Sequence, residues 1–178
     1  MMRGFLYSGL IGLVVAGIVH IVIVLLIPSY AAKDAWSALG NAGPPWQFSV
    51  VTQAGEPEIG LLRSVDPRFS IGACRFRLSE NPLSVLAEGT LPFWSVAVFD
   101  RQGKNVYSFN DRTAIERRLD LLVVNPVQLA KLKENPLPET EKTVLVEADI
   151  DEGFVLIRAL SADESWKPAL DTFLGSAN

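Results

Sequence analysis

Residues Gly4 to Ile27 form one apolar stretch with no charged side chain, bounded by Arg3 and Pro28. A helix over these 24 residues covers ~36 Å at ~1.5 Å per residue, enough to cross a hydrocarbon core of ~30 Å with some tilt. No other feature constrains the chain as strongly. A cleavable secretory signal competes with an uncleaved anchor, because Ser29-Tyr30-Ala31 offers small residues at the two positions a signal peptidase reads. The apolar core of a signal peptide runs about 7–15 residues, however, so the length favours a signal anchor over residues 1–30. Arg3 and the α-amino group flank the span on one side, and Lys33 is the one basic residue on the other side before Arg63. The positive-inside rule then puts the N-terminus in the cytoplasm and the remainder in the periplasm of a bacterial inner membrane.

Ser8, Gly12, Ala16 and His20 recur four apart along this helix, with Gly9 and Gly17 beside them. Small residues at that spacing let a second helix approach closely, which makes the row a candidate helix-packing face for a membrane-protein partner or a second copy. A polar His20 inside a span faces a partner or cavity, or reaches toward the outer interface.

The chain has 178 residues and a net charge of −4, which gives nucleic-acid binding no electrostatic support. About 130 residues follow from Trp46 onward, enough for one domain with its own core. Cys74 is the sole cysteine, so an internal disulfide is excluded. It fits a small buried apolar residue or, in an oxidising compartment, an intermolecular disulfide.

Residues 31–45 are expected to carry the helix out of the membrane to about Leu39, with Trp36 at the interface, and then to break in the Gly-Asn-Ala-Gly-Pro-Pro linker. Strand signals dominate the domain of residues 46–178. Trp46, Phe48 and Val50 alternate with polar residues, and Cys74, Phe76 and Leu78 alternate with Arg75 and Arg77. Leu83–Ala87, Phe93–Phe99, Val106–Phe109, Leu119–Val124, Thr143–Ala148 and Phe154–Leu160 read as further strands. The Asp100–Lys104 turn predicts a hairpin, and the acidic run Asp149–Gly153 predicts another. Asn125-Pro126 caps a short helix to about Lys133. Ser161 and Glu164 have the form of a capping box for a last helix, reaching Gly175 with Trp166, Leu170 and Phe173 on its buried side. Pro168 sits early in that helix or marks its true first turn. The pattern predicts a mainly β fold, an antiparallel sandwich or jelly-roll-like domain with short helices.

The chemistry-bearing residues are sparse. One His and one Cys cannot assemble a zinc site, and a Ser-His-Asp triad has no His outside the span. No glycine-rich phosphate loop occurs, so no cofactor is expected. Asp149, Asp151 and Glu152 lack the calcium-loop spacing and read as a solvated turn. Asn110-Asp111-Arg112-Thr113 is the densest polar cluster, either a ligand contact or a structural corner in which Arg112 pairs with a carboxylate. Trp94, Phe99, Tyr107 and Trp166 line an apolar cleft for a sugar or lipid, or fill the core. An enzyme would need Asp111 and Arg112 to converge with a second acid.

The segments Leu91–Asp100, Tyr107–Thr113 and Leu119–Val124, with the closing Gly153–Trp166, resemble the paired bacterial families called domain of unknown function 1254 and domain of unknown function 1214. The layout also resembles compact alphaproteobacterial inner-membrane proteins. The resemblance implies a β-sandwich or jelly-roll in the cell envelope and no transferable activity. It also implies that a second β domain of the larger members is missing here. The combined reading is a non-catalytic accessory or interaction component of an envelope complex, with a carbohydrate- or lipid-binding module as the alternative.

Overall fold

The computed structural model describes residues 2–52, 66, 68–135 and 142–177 and, within the first helix, the side chains of residues 4–27 and 36–42. Arg63 and most of the loop expected over Asn135–Glu141 lie outside these residues.

Helix α1 runs from Met2 to Ala42. Its segment Gly4–Ile27 has a mean hydropathy of 3.1 and is long and apolar enough to cross a membrane. The helix does not break at Gly40. Gly40 lies against the Arg75 guanidinium, where a Cβ would stand 3.0 Å from Nη1. Glycine there lets the helix pack on the domain, and the helical hydrogen bonding fades only at Gly43, whose N–H reaches the Leu39 carbonyl at 3.4 Å.

Among the described residues eight strands follow: β1 (Ser49–Thr52), β2 (Phe69–Arg77), β3 (Leu83–Ala87), β4 (Trp94–Asp100), β5 (Asn105–Asn110), β6 (Leu119–Val124), β7 (Val144–Glu147) and β8 (Glu152–Leu160). They form a five-stranded sheet in the order β1-β2-β8-β4-β5 and a three-stranded sheet in the order β3-β6-β7. Helix α2 (Pro126–Glu134) follows β6, and α3 (Lys167–Ser176) follows β8. The fold is mainly β, with antiparallel pairing throughout the larger sheet. One pair departs from the antiparallel expectation: β6 and β7 run parallel, with Leu121 opposite Val144. Helix α2 supplies the crossover such a pair needs.

At the end of β2 the side chains alternate: Cys74 and Phe76 point into the core, Arg77 is exposed on the other face, and Arg75 on that face is half-buried against α1. A single buried cluster draws on β2, β4, β5 and β8, on β3, β6 and β7, and on α3, with Trp94, Phe76 and Phe173 its largest members. Gly153 on β8 admits the Phe76 ring, since a Cβ there would meet Phe76 Cζ at 2.7 Å and collide with the Phe99 carbonyl.

Three local expectations are corrected. Trp46–Val50 is not one strand: β1 begins at Ser49, and Trp46 has a left-handed backbone (φ 66°). Its indole Nε1 donates to Glu80 at 3.3 Å, and its N–H donates to the Arg75 carbonyl at 2.9 Å. The acidic run at 149–153 is not a hairpin turn, because β7 and β8 belong to different sheets. Both edges of β8 are occupied, by β2 and β4, so the run carries the chain from one sheet to the other. Finally, Ser161 does not cap the last helix: Asp163 caps a 3-10 turn, Glu164–Trp166, its Oδ1 accepting from Ser165 N–H at 2.9 Å, and α3 starts at Lys167-Pro168 without a side-chain cap. At α2 the expected Asn125 cap is present as a reciprocal box with Gln128.

Candidate functional site

The Asn110–Thr113 cluster builds a corner. Asn110 Oδ1 accepts the N–H groups of Arg112 (3.0 Å) and Thr113 (3.3 Å), and Thr113 Oγ1 donates to the Asn110 carbonyl (3.1 Å). These bonds are the Asx-type turn that asparagine makes when a strand must stop. The corner leaves Arg112 exposed and turns Asp111 inward. Asp111 is 2% exposed, and its N–H donates to the Trp94 carbonyl at 3.1 Å. Its carboxylate is paired with Arg117 (Nη2 to Oδ2, 2.5 Å), not with Arg112. The other oxygen, Oδ1, is buried without a hydrogen-bond partner.

Arg117 belongs to a short 3-10 turn, Ile115–Arg117, with an unusual backbone. Glu116 (φ 54°) and Arg117 (φ 57°) are successive left-handed residues, and neither is glycine. Each costs on the order of 1–3 kcal/mol and persists only where the surroundings hold it. The Asp111 bond anchors Arg117, and an exposed Lys142 Nζ–Glu116 Oε1 ion pair (2.6 Å) lies beside the other. The turn forms one wall of a cleft of about 450 Å³. Glu88–Leu91 and the buried edge of Trp94 complete it, and Arg118 faces Glu88 across it at 3.6 Å.

The aromatic residues divide. Trp94 is 1% exposed and packs edge-on against Phe109 (5.7 Å between centroids), so it is core. Phe99 stacks on Phe154 at 5.1 Å, Trp166 is half-buried, and Tyr107 is exposed on the edge strand β5. No single cleft collects all four. Cys74 is 3% exposed, which removes it as an intermolecular disulfide, and burial pushes its thiol up to about 11. Ser8, Gly12, Ala16 and His20 lie exposed along α1. Among the described residues no three His, Cys, Asp or Glu side chains converge on a metal-sized site.

A second cluster joins α1 to the domain. Trp36 lies against Phe154 (6.4 Å between centroids), with the guanidinium carbons of Arg75 and Arg101 at 5.5 and 5.6 Å from its ring. Arg75 also donates from Nη2 to the Gly43 carbonyl at 3.3 Å, and Glu152 accepts from Arg101 at 2.5 Å. Trp36 is therefore a packing residue of the domain. Sequence reasoning assigned it to the interface because a tryptophan after an apolar span has that general preference. Nothing in the sequence marks Arg117 beyond its place in a charged run.

No protein-family model matches the chain. No curated protein matches it either. Among solved structures it is similar to the VPA0106 protein from Vibrio parahaemolyticus, with a TM-score of 0.56 and 12% identity over 85% of this chain and 35% of that one. An uncharacterized protein from Burkholderia cenocepacia gives a TM-score of 0.42 and 13% identity over 58% of this chain and 29% of that one. The chain thus spans about a third of the length of the structures it resembles, and the first likeness extends to the fold alone.

Proposed function

We propose that this chain is a single-span membrane protein whose β domain is held against the membrane surface as a non-catalytic accessory or interaction component of an envelope complex. The Trp36 cluster carries the reading. Trp36 lies nine residues beyond Ile27, about 14 Å along a helix at about 1.5 Å per residue. The polar layer on each side of a bilayer is about 5–8 Å deep. A domain clasped to the helix at that height stands only about 6–9 Å beyond the headgroup layer. That arrangement suits a part that meets membrane partners better than one that samples solution on a long tether.

The flanking charges support a cytoplasmic N-terminus and a periplasmic domain in a bacterial inner membrane. The shared cluster between the two sheets supports a sandwich-like packing, in keeping with membership of the domain of unknown function 1254 and 1214 families. The row Ser8, Gly12, Ala16 and His20 is the docking face for a second membrane helix, from a partner or another copy. The test is affinity purification from native membranes with crosslinking. The expected result is a reproducible membrane-protein partner or a homo-oligomer, lost when Gly12 and Ala16 are changed to leucine. A lone monomer with nothing crosslinked to it refutes the reading.

A further inference from the structure

We propose that the cleft between the Ile115–Arg118 turn and the Glu88–Leu91 loop binds a neutral, hydroxyl-rich ligand of the saccharide class. Two observations meet there and a third lies behind its wall. The cleft holds about 450 Å³, within the range of small-molecule sites, about 300–1,000 Å³. Its wall carries the two left-handed residues, Glu116 and Arg117, and backbone strain of that kind collects at ligand clamps. Behind that wall Asp111, almost wholly buried, fixes Arg117 while one of its own oxygens lacks a donor.

The chemistry selects the ligand. Arg117 and Arg118 supply planar arrays of N–H donors, Glu88 and Glu116 supply acceptors, and Thr90 supplies a hydroxyl. The formal charges of the two arginines and two glutamates cancel. A cleft without net charge gives no advantage to a phosphate or a carboxylate. Leu91 and Trp94 border the cleft but are core residues, 3% and 1% exposed, so the polar rim does the recognising. Its donors and acceptors match a sugar ring, which presents hydroxyls around its own rim. Arg118 is about half exposed, Glu88 is mostly exposed, and the two are only loosely paired at 3.6 Å, so a ligand can part them at little cost. This proposal does not rest on the accessory reading, which concerns other residues.

The test uses the full chain in lauryldimethylamine oxide micelles, which contain no sugar. Saturation-transfer NMR is run with glucose, N-acetylglucosamine and the N-acetylglucosamine trimer, and inorganic phosphate is followed in parallel by ³¹P line width. Transfer to at least one saccharide is expected, weakened roughly tenfold or more in Arg118→Ala and in Thr90→Val. Both positions are exposed, so thermal melting should be unchanged. Tyr107→Ala, outside the cleft, should leave the transfer intact. No transfer to any of the three sugars overturns the proposal. Equal transfer in wild type and both cleft variants also overturns it, as does binding of phosphate in place of sugar.

Discussion

Replacing Trp36 by alanine should loosen the joint between α1 and the β domain while leaving the domain folded. The indole meets two guanidinium groups and one phenyl ring. Cation–π contacts at partly exposed sites contribute about 0.5–1 kcal/mol each. An aromatic pair contributes about 0.5–1.5 kcal/mol beyond its area. With Trp36 half-exposed, the joint weakens by about 1.5–3.5 kcal/mol, or roughly 10- to 400-fold in its closing constant. Hydrogen exchange in micelles reads this directly. Backbone amides of residues 37–42, at the docked end of α1, should lose protection by that factor. Amides of β8, paired on both sides by β2 and β4, should keep theirs. If residues 37–42 exchange in Trp36→Ala as in wild type, the contact does not hold the helix down. If β8 loses protection equally, the ring belongs to the core of the domain and the argument for a separable joint is wrong.

The remaining expectations concern the domain. Gly153→Ala forces a Cβ against the Phe99 carbonyl and the Phe76 ring, and a backbone oxygen in a paired strand cannot step aside. A loss of about 1–3 kcal/mol is expected from overpacking, and an unchanged thermal midpoint would show that the approach is not close. Hydrogen bonds from Arg77, followed by the nearby charge of Arg101, hold the Glu152 carboxyl below its ordinary value of 4.5. A carboxyl lowered by folding stabilises the native state above its unfolded pKa and ceases to do so as pH falls through its folded pKa. Glu152→Gln should therefore flatten the fall of the melting temperature below pH 4.5; parallel curves for the two proteins would contradict the pairing. Cys74, buried with its thiol raised to about 11, should resist iodoacetamide at neutral pH until the domain is unfolded, and rapid alkylation of the native protein would refute its burial.

Much of the fold was legible because it is encoded locally. The period-two alternation of Cys74, Arg75, Phe76 and Arg77 assigns a face to each of these four residues without knowledge of their neighbours. Asn125 followed by Pro126 and Gln128 satisfies orphan N–H groups within one turn, so α2 declares its own start. The corner at Asn110–Thr113 is likewise a short-range hydrogen-bond pattern. The partner of Asp111 was not legible. Arg112 is adjacent in sequence, yet the turn that buries Asp111 sends Arg112 to solvent. Arg117 arrives only through a left-handed bend at residues without the usual glycine signature. The strand order failed for a related reason. Nearness in sequence suggested pairing β7 with β8, but β8 is more stable at the centre of the larger sheet, where β2 and β4 satisfy both of its edges.

By itself the sequence determined the apolar segment, the existence of most strands and the helix caps, because hydrophobic length, side-chain alternation and capping bonds act over a few residues. Tertiary structure decided which sheet each strand joins, that α1 continues to Ala42 and is clasped at Trp36, and that Asp111 is buried beside a strained turn. Those outcomes depend on burial and hydrogen bonding between groups far apart in the chain. Arg75 and Arg101 meet Trp36 across the assembled domain, and Asp111, although only six residues from Arg117, is buried because its N–H is bound to the Trp94 carbonyl on β4.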